Sequence, residues 1–417
     1  MDSINIKPAK LNGNIYAPPS KSMSHRAIIC ASLCNEGESI IKNIILSEDI
    51  KATIEGMEQL GAEIEIIKDK TISLSIKGNS RNISKAVINC RESGSTLRFL
   101  IPIGLKLSDK CTFDGTGRLV DRPLDVYYNI FEQDNIHYET NNGKLPLTVS
   151  GDLKGGRYEV TGSISSQFIT GLFFALPLLN RDSTIIIKDK LESKGYIDLT
   201  LNILKKFNIF IENIDYKQFK IKGNSEYKST SYDVEGDYSQ GAFFLVAKEI
   251  GNNIECLGLE KNSLQGDKEI ADIISRYHEA SEGLVIDASQ IPDLVPILAV
   301  LASLKDGITT KIINAERVRI KESDRLKAIS TELKAMGADI EELNDGLLIK
   351  GKKSLKGNVT VKSWNDHRIA MSLAIAATRC EGHIILQDYK AVNKSYPEFW
   401  ADYQMLGGKI DELNVWE

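Results

Sequence analysis

The chain has 417 residues, 42% apolar and 26% charged, a composition that predicts roughly two or three ordinary globular domains with sizeable cores. Its net charge of −5 argues against a nucleic-acid partner, which would call for a basic surface, so any anionic ligand must be met by cations gathered locally. The start of the chain lacks an apolar run behind a basic stretch, and the greasiest segment, 173–179, is far short of a membrane span.

One pattern recurs six times along the chain, and it predicts a repeated supersecondary unit. Small-residue apolar helices are predicted in order over 27–34, 96–107, 168–179, 242–250, 294–304 and 369–378. Their stops are Gly37, Asp109, Asn180, Gly251, Gly307 and Gly382, the residue types expected in left-handed helix ends. Strands rich in β-branched residues follow, among them 39–41, 184–187, 308–313 and 383–386. Second, amphipathic helices are predicted over 49–60, 124–132, 197–206 and 325–336, and two of them run into strands at 61–66 and 337–340. A helix, strand and helix joined by short loops leave the two helices parallel, with both N-termini on one side. Six units would then aim about a dozen helix starts, each with unpaired N–H groups and partial positive charge, at one region suited to an anion. A single dipole is worth only about 0.3–1 kcal/mol, so charged side chains must carry most of the binding.

The polar signatures fall at those helix starts. They are Lys21-Ser22-Met23-Ser24-His25-Arg26, Glu92-Ser93-Gly94-Ser95-Thr96-Leu97-Arg98, Asp121-Arg122-Pro123, Ser163-Ile164-Ser165-Ser166-Gln167 and Ser193-Lys194-Gly195-Tyr196. The second half adds Asp237-Tyr238-Ser239-Gln240, Ile291-Pro292-Asp293, Lys321-Glu322-Ser323-Asp324-Arg325, Asn365-Asp366-His367-Arg368 and Lys394-Ser395-Tyr396-Pro397. Serines and aspartates before a helix are most simply caps, and Asp237 with Gln240 has capping-box spacing. Ser22, Ser165 and Ser166 stand open between a cap and a ligand contact. His25, His137, His278 and His383 read as surface or polar-packed residues. Six cysteines stand singly apart from Cys30 and Cys34, which predicts reduced, mostly buried thiols without disulfides or a metal site.

Caps leave the cations unexplained. Lys21, Arg26, Arg98, Arg122, Lys321, Arg325, Arg368 and Lys394 lie in or beside first turns, where the helix dipole disfavours positive charge. Local rules fail at functional sites, and a ligand with more than one acidic group resolves this conflict through bidentate arginine forks. Asp293 and Glu322 stand among these cations as candidate proton carriers, an N-cap role after Pro292 being the other reading of Asp293.

Together the motifs Lys21-Ser22-Met23-Ser24-His25-Arg26, Ser165-Ser166-Gln167, Lys321-Glu322-Ser323-Asp324-Arg325 and Asp366-His367-Arg368 resemble those of the EPSP synthase family, in order and over essentially the whole chain. The resemblance implies an α/β (α+β) fold, a two-domain inside-out α/β barrel with three βαβαββ units in each domain. One domain would span 20–234 and the other 1–19 plus 235–417, with the active site in the cleft between them; site residues drawn from both halves predict that this cleft closes on its ligands. The implied reaction moves the enolpyruvyl group of phosphoenolpyruvate to the 5-hydroxyl of shikimate 3-phosphate and releases phosphate. The path is addition–elimination through a tetrahedral intermediate, on the shikimate route to chorismate and aromatic amino acids. A cytoplasmic monomer with two small-molecule substrates is implied, with no cofactor, metal, nucleic acid or membrane partner.

Carried onto this chain, the family pattern makes Asp293, Glu322 and Lys21 the catalytic set. It gives Lys21, Ser22, Arg26, Ser165, Ser166, Gln167, Ser193, Tyr196, Asp293 and Lys321 to shikimate 3-phosphate. Phosphoenolpyruvate is left to Lys21, Gly94, Arg122, Gln167, Arg325, Arg368 and Lys394. The chain departs from the pattern at Glu92, Phe99 and His25, which leaves the catalytic set intact. The sister transferase acting on UDP-N-acetylglucosamine carries a cysteine in a mobile loop, whereas here the loop 114–118 has only Cys111 nearby, placed in a strand. A non-catalytic anion-binding scaffold does not account for two acids among the cations, and an RNA-end-processing enzyme conflicts with the acidic charge.

Overall fold

The computed structural model describes residues 2–78 and 83–413. Two units emerge, one running from Pro19 to Glu235 and the other combining the chain up to Pro18 with the chain from Gly236 onward. In the first, six helices follow one another: α1 (Lys21–Ser32), α2 (Glu48–Gln59), α3 (Gly94–Leu107), α4 (Asp125–Asp134), α5 (Ser166–Ala175) and α6 (Lys194–Lys206). The other unit carries α7 (Tyr238–Glu249), α8 (Glu269–Glu279), α9 (Val295–Ser303), α10 (Arg325–Ala335), α11 (His367–Ala377) and α12 (Phe399–Met405).

Alternate helices differ in burial for a reason visible in their composition. Every residue of α9 and α11 is buried, as are nearly all of α5, because these helices are apolar on all sides and line the interior. The helices between them, such as α6 and α10, keep a charged outer face. α3 packs on α5, and α1 on α2 and α6, which ties the three repeats of that unit together.

The second, third and fifth repeats build their sheets in the same order. The strand before the first helix pairs in parallel with the strand after it, as Ala86–Asn89 does with Lys110–Asp114. A hairpin after the second helix then adds an antiparallel strand, here Lys144–Ser150, with His137–Asn141 at the edge. Parallel pairing requires the first helix to run back against the strands, and the second helix repeats that course. Both therefore start at the same end of their sheet.

Three repeats borrow a strand from distant sequence. Ser231–Asp233 returns to pair with Ser39–Ile44, and Ser3–Lys7 lies between Ile384–Gln387 and Lys409–Leu413. The fourth repeat has two strands among the described residues, Asn12–Tyr16 beside Asn253–Leu257, because α8 leads straight into Gly283–Asp287 of the fifth.

Two sequence expectations need correction. Of the six stops, Gly37, Gly251 and Gly307 have positive φ, whereas Asp109, Asn180 and Gly382 do not. The left-handed ends belong chiefly to the second helices, at Gly61, Asn135, Asn208, Gly337 and Gly407 with φ of 96°, 58°, 66°, 93° and 94°. There the chain must reverse at once into a hairpin strand. The first helices also start earlier than apolar spacing indicates, α1 at Lys21 and α7 at Tyr238. Their opening turns are polar, which hides them from a periodicity reading.

Candidate functional site

In the unit running from Pro19 to Glu235, the polar first turns meet one another. Lys21, the first residue of α1, pairs with Asp49 in the first turn of α2 at 2.6 Å. One turn on, Arg26 donates to Thr200 Oγ1 at 2.7 Å and to the Ser22 carbonyl at 2.7 Å, and its guanidinium lies over the Phe99 and Tyr196 rings. Burial brings Arg26 down to about 10, partly offset by Tyr196, so it stays charged at neutral pH without a carboxylate at ion-pair distance among the described residues.

Arg98 donates to Gln167 Oε1 at 2.8 Å, and Gln167 Nε2 reaches Ser95 Oγ at 2.9 Å, joining the starts of α3 and α5. Arg122 crosses in front of Gly94, where an added Cβ would stand 2.6 Å from its Nη1 and 3.2 Å from Arg98 Nη1. Gly94 therefore gives way to two guanidinium groups. Ser165 caps α5 by accepting from the Gln167 N–H at 3.3 Å, and Ser166 is buried in its first turn. Ser193 holds a left-handed backbone (φ 55°) as α6 begins, one turn before Tyr196.

His25 is buried and bonded to Thr53 Oγ1 at 2.7 Å, with Thr53 passing to Thr96 at 2.7 Å. Burial, then Lys21 and Arg26, hold the imidazole well below its ordinary value, so it is a neutral strut between helix starts.

The other unit gathers acids and bases around Asp293. Its carboxylate accepts from Arg325 Nη1 at 2.8 Å and from Arg368 Nη2 at 3.2 Å, and Lys321 Nζ lies 4.0 Å away. Arg325 also pairs with Glu322 at 2.6 Å and with Asp366 at 2.8 Å. No side-chain cap bond is made at the start of α9, so the cap reading of Asp293 gives way to these ion pairs. Burial alone would raise Asp293, but Arg368, Lys321 and Arg325 hold its carboxyl well below the usual range. Burial would likewise lower Arg325, yet Asp366, Glu322 and Asp293 push it above the ordinary arginine value. Lys321 is the exception, because burial outweighs Asp293 and Glu322 and brings it down to about 8.

Lys394 departs from its expected place. It ends the short turn Tyr389–Lys394, donates to the Asn365 carbonyl at 2.5 Å, and precedes α12 by several residues. Of the other cations, Lys21, Arg325 and Arg368 lie in first turns, Arg26 and Arg98 sit about one turn further along α1 and α3, and Arg122 and Lys321 precede α4 and α10 by a few residues; the five arginines are all buried.

The family model for EPSP synthase (3-phosphoshikimate 1-carboxyvinyltransferase) matches residues 6–403. The chain belongs to the EPSP synthase family. It is 56% identical to a 3-phosphoshikimate 1-carboxyvinyltransferase of Clostridium novyi and 52% identical to one of Clostridioides difficile, with all of each chain covered in both cases. A solved EPSP synthase from Acinetobacter baumannii shares the fold at a TM-score of 0.80, covering 99% of this chain and all of that one at 22% identity.

Several partners in these clusters escaped the sequence reading. Asp49, Thr53 and Thr200 sit on second helices and look like ordinary caps or surface positions until the helices are brought together. Asp366 was visible only as part of its motif, although it binds Arg325 and also caps α11 through the Arg368 N–H at 2.9 Å. Asp267, considered below, carried no signal at all.

Proposed function

We propose that this chain transfers the enolpyruvyl group of phosphoenolpyruvate to the 5-hydroxyl of shikimate 3-phosphate and releases inorganic phosphate, a step of aromatic amino-acid biosynthesis by way of chorismate. The observation that carries the reading is Asp293, a carboxylate kept ionised by Arg368, Lys321 and Arg325, which sets a proton acceptor among cations able to grip an anionic substrate. Family membership supports the same reaction.

Asp293 accepts the proton of the 5-hydroxyl as its oxygen bonds to C2 of phosphoenolpyruvate, while C3 takes a proton from Glu322, with Lys21 beside the phosphate. The C2=C3 double bond is consumed and a tetrahedral ketal phosphate results. In the second half the bond from C2 to the phosphate oxygen breaks, C3 returns its proton, and the double bond re-forms in the product. Arg122, Arg325, Arg368 and Lys394 neutralise the departing phosphate, with Gly94 leaving room for it and Gln167 beside it. Ser22, Arg26, Ser165, Ser166, Gln167, Ser193, Tyr196 and Lys321 hold shikimate 3-phosphate. The scheme uses neither a metal nor an organic cofactor, and on this reading the enzyme works as a cytoplasmic monomer.

The test is phosphate release from phosphoenolpyruvate with shikimate 3-phosphate as acceptor, run beside UDP-N-acetylglucosamine. Release with the first acceptor is expected. Release with UDP-N-acetylglucosamine alone would overturn the assignment.

A further inference from the structure

Asp267 lies in the short turn Gly266–Lys268 and is 3% exposed. Ser239, in the first turn of α7, donates its hydroxyl to Asp267 Oδ2. Oδ1 is buried with no hydrogen-bond partner among the described residues. The neighbouring Lys268 turns its ammonium to the Ser263 carbonyl at 2.8 Å, so it does not neutralise the acid. Both the Asp267 turn and the Pro292–Leu294 turn that carries Asp293 pack on α7, and Asp267 lies within the electrostatic reach of Asp293, Arg368 and Asp237.

Three carboxyl groups therefore gather by α7, and their surroundings divide the roles. Asp237 is fixed as the α7 cap, accepting from the Ser239 and Gln240 N–H groups at 2.7 and 3.2 Å. Asp293 is paired with three cations. Asp267 has one hydroxyl and an empty oxygen, an arrangement in which a buried charge is costly and a proton is the cheaper solution. We propose that Asp267 is a positioning residue for the Asp293–Arg368 pair, holding a proton so that Asp293 is the one ionised carboxylate facing Arg368 and the substrate anion it grips. This rests on the reaction proposed above.

Electrostatics agree with the geometry. Burial first, then Asp293 and to a lesser degree Asp237, raise Asp267 to about 7, while Arg368 and the Ser239 hydroxyl pull the other way. Below that pH the acid is neutral. Above it a second negative charge enters the field of Arg368 and competes with the substrate anion.

The expected consequence is a decline in kcat/KM for phosphoenolpyruvate that begins near pH 7 and approaches about tenfold per pH unit, because kcat/KM reports ionisations of the free enzyme. In Asp267→Asn the onset should retreat to about 8, where Lys321 gives up its proton. Ser239→Ala removes a donor that favours the ionised acid, so its onset should also move upward, and this variant serves if Asp267→Asn fails to fold. An onset unmoved in the folded variants overturns the proposal. A ligand-free infrared titration decides the matter separately from the reaction. Wild type should lose a protonated-carboxyl band as pH rises through about 7, and Asp267→Asn should lack that band. If the band is missing from wild type, Asp267 does not hold the proton. If neither acceptor releases phosphate, the reaction assignment falls and the infrared result alone judges Asp267.

Discussion

Arg325 and Asp366 form a sealed two-point ion pair, Nε to Oδ2 at 2.8 Å and Nη2 to Oδ1 at 3.4 Å, with 1% and 0% side-chain exposure. Asp366 also takes the Ser323 hydroxyl at 2.9 Å and caps α11. It thus fixes the guanidinium that donates to Asp293 through Nη1 and to Glu322 through the shared Nη2. Asp366→Ala leaves a buried cation short of its best partner and should cost about 3–5 kcal/mol of stability, measured by urea unfolding. A loss below about 1 kcal/mol would show that the pair does not anchor α10 to α11.

Arg368→Ala removes a guanidinium assigned to phosphate. The expected loss is about 2–4 kcal/mol of transition-state stabilisation, a hundred- to thousandfold in kcat/KM. A variant near the wild-type value would remove Arg368 from the assigned grip.

Gly94→Ala tests the space in front of the first-unit arginines. The clashing atoms are the far ends of flexible side chains, Arg122 Nη1 at 2.6 Å and Arg98 Nη1 at 3.2 Å. The fold should survive within about 1 kcal/mol while the displaced guanidinium raises KM for phosphoenolpyruvate by roughly ten- to a hundredfold. An unchanged KM would mean that Gly94 does not border the ligand.

Asp293 makes a prediction for acid stability. Its folded carboxyl is depressed, so its contribution is fully present above the unfolded value of about 3.9 and is lost as pH falls through the lower folded value. Asp293→Asn should flatten the fall in Tm below about pH 4, relative to wild type, and reduce kcat by about a hundredfold or more. Parallel acid melts of the two proteins check the first part, and parallel curves would refute it.

Lys321, brought down to about 8 by burial, should add a second decline in kcat/KM as pH rises past that value and the cation is lost. Lys321→Arg keeps the charge across this range, so the component near pH 8 should vanish whatever the variant's absolute rate. Its persistence would assign the decline to another group.

The sequence alone carried the repeats, the inner helices and the placing of cations in or beside polar helix starts. Each of these is a local property: a nearly uninterrupted run of apolar and small residues makes α9 or α11 an interior helix, and the dipole rule makes a first-turn Arg325 or Arg368 stand out. It also held the motifs by which the chain resembles its family. Tertiary structure alone decided the partners, because Lys21 meets Asp49, Arg26 meets Thr200 and Arg325 meets Asp366 across 28, 174 and 41 residues of chain. Charge and protonation follow from those meetings. Asp293 and Asp267 are the same residue type, yet packing gives one three cations and the other a single hydroxyl, and no spacing along the chain distinguishes them.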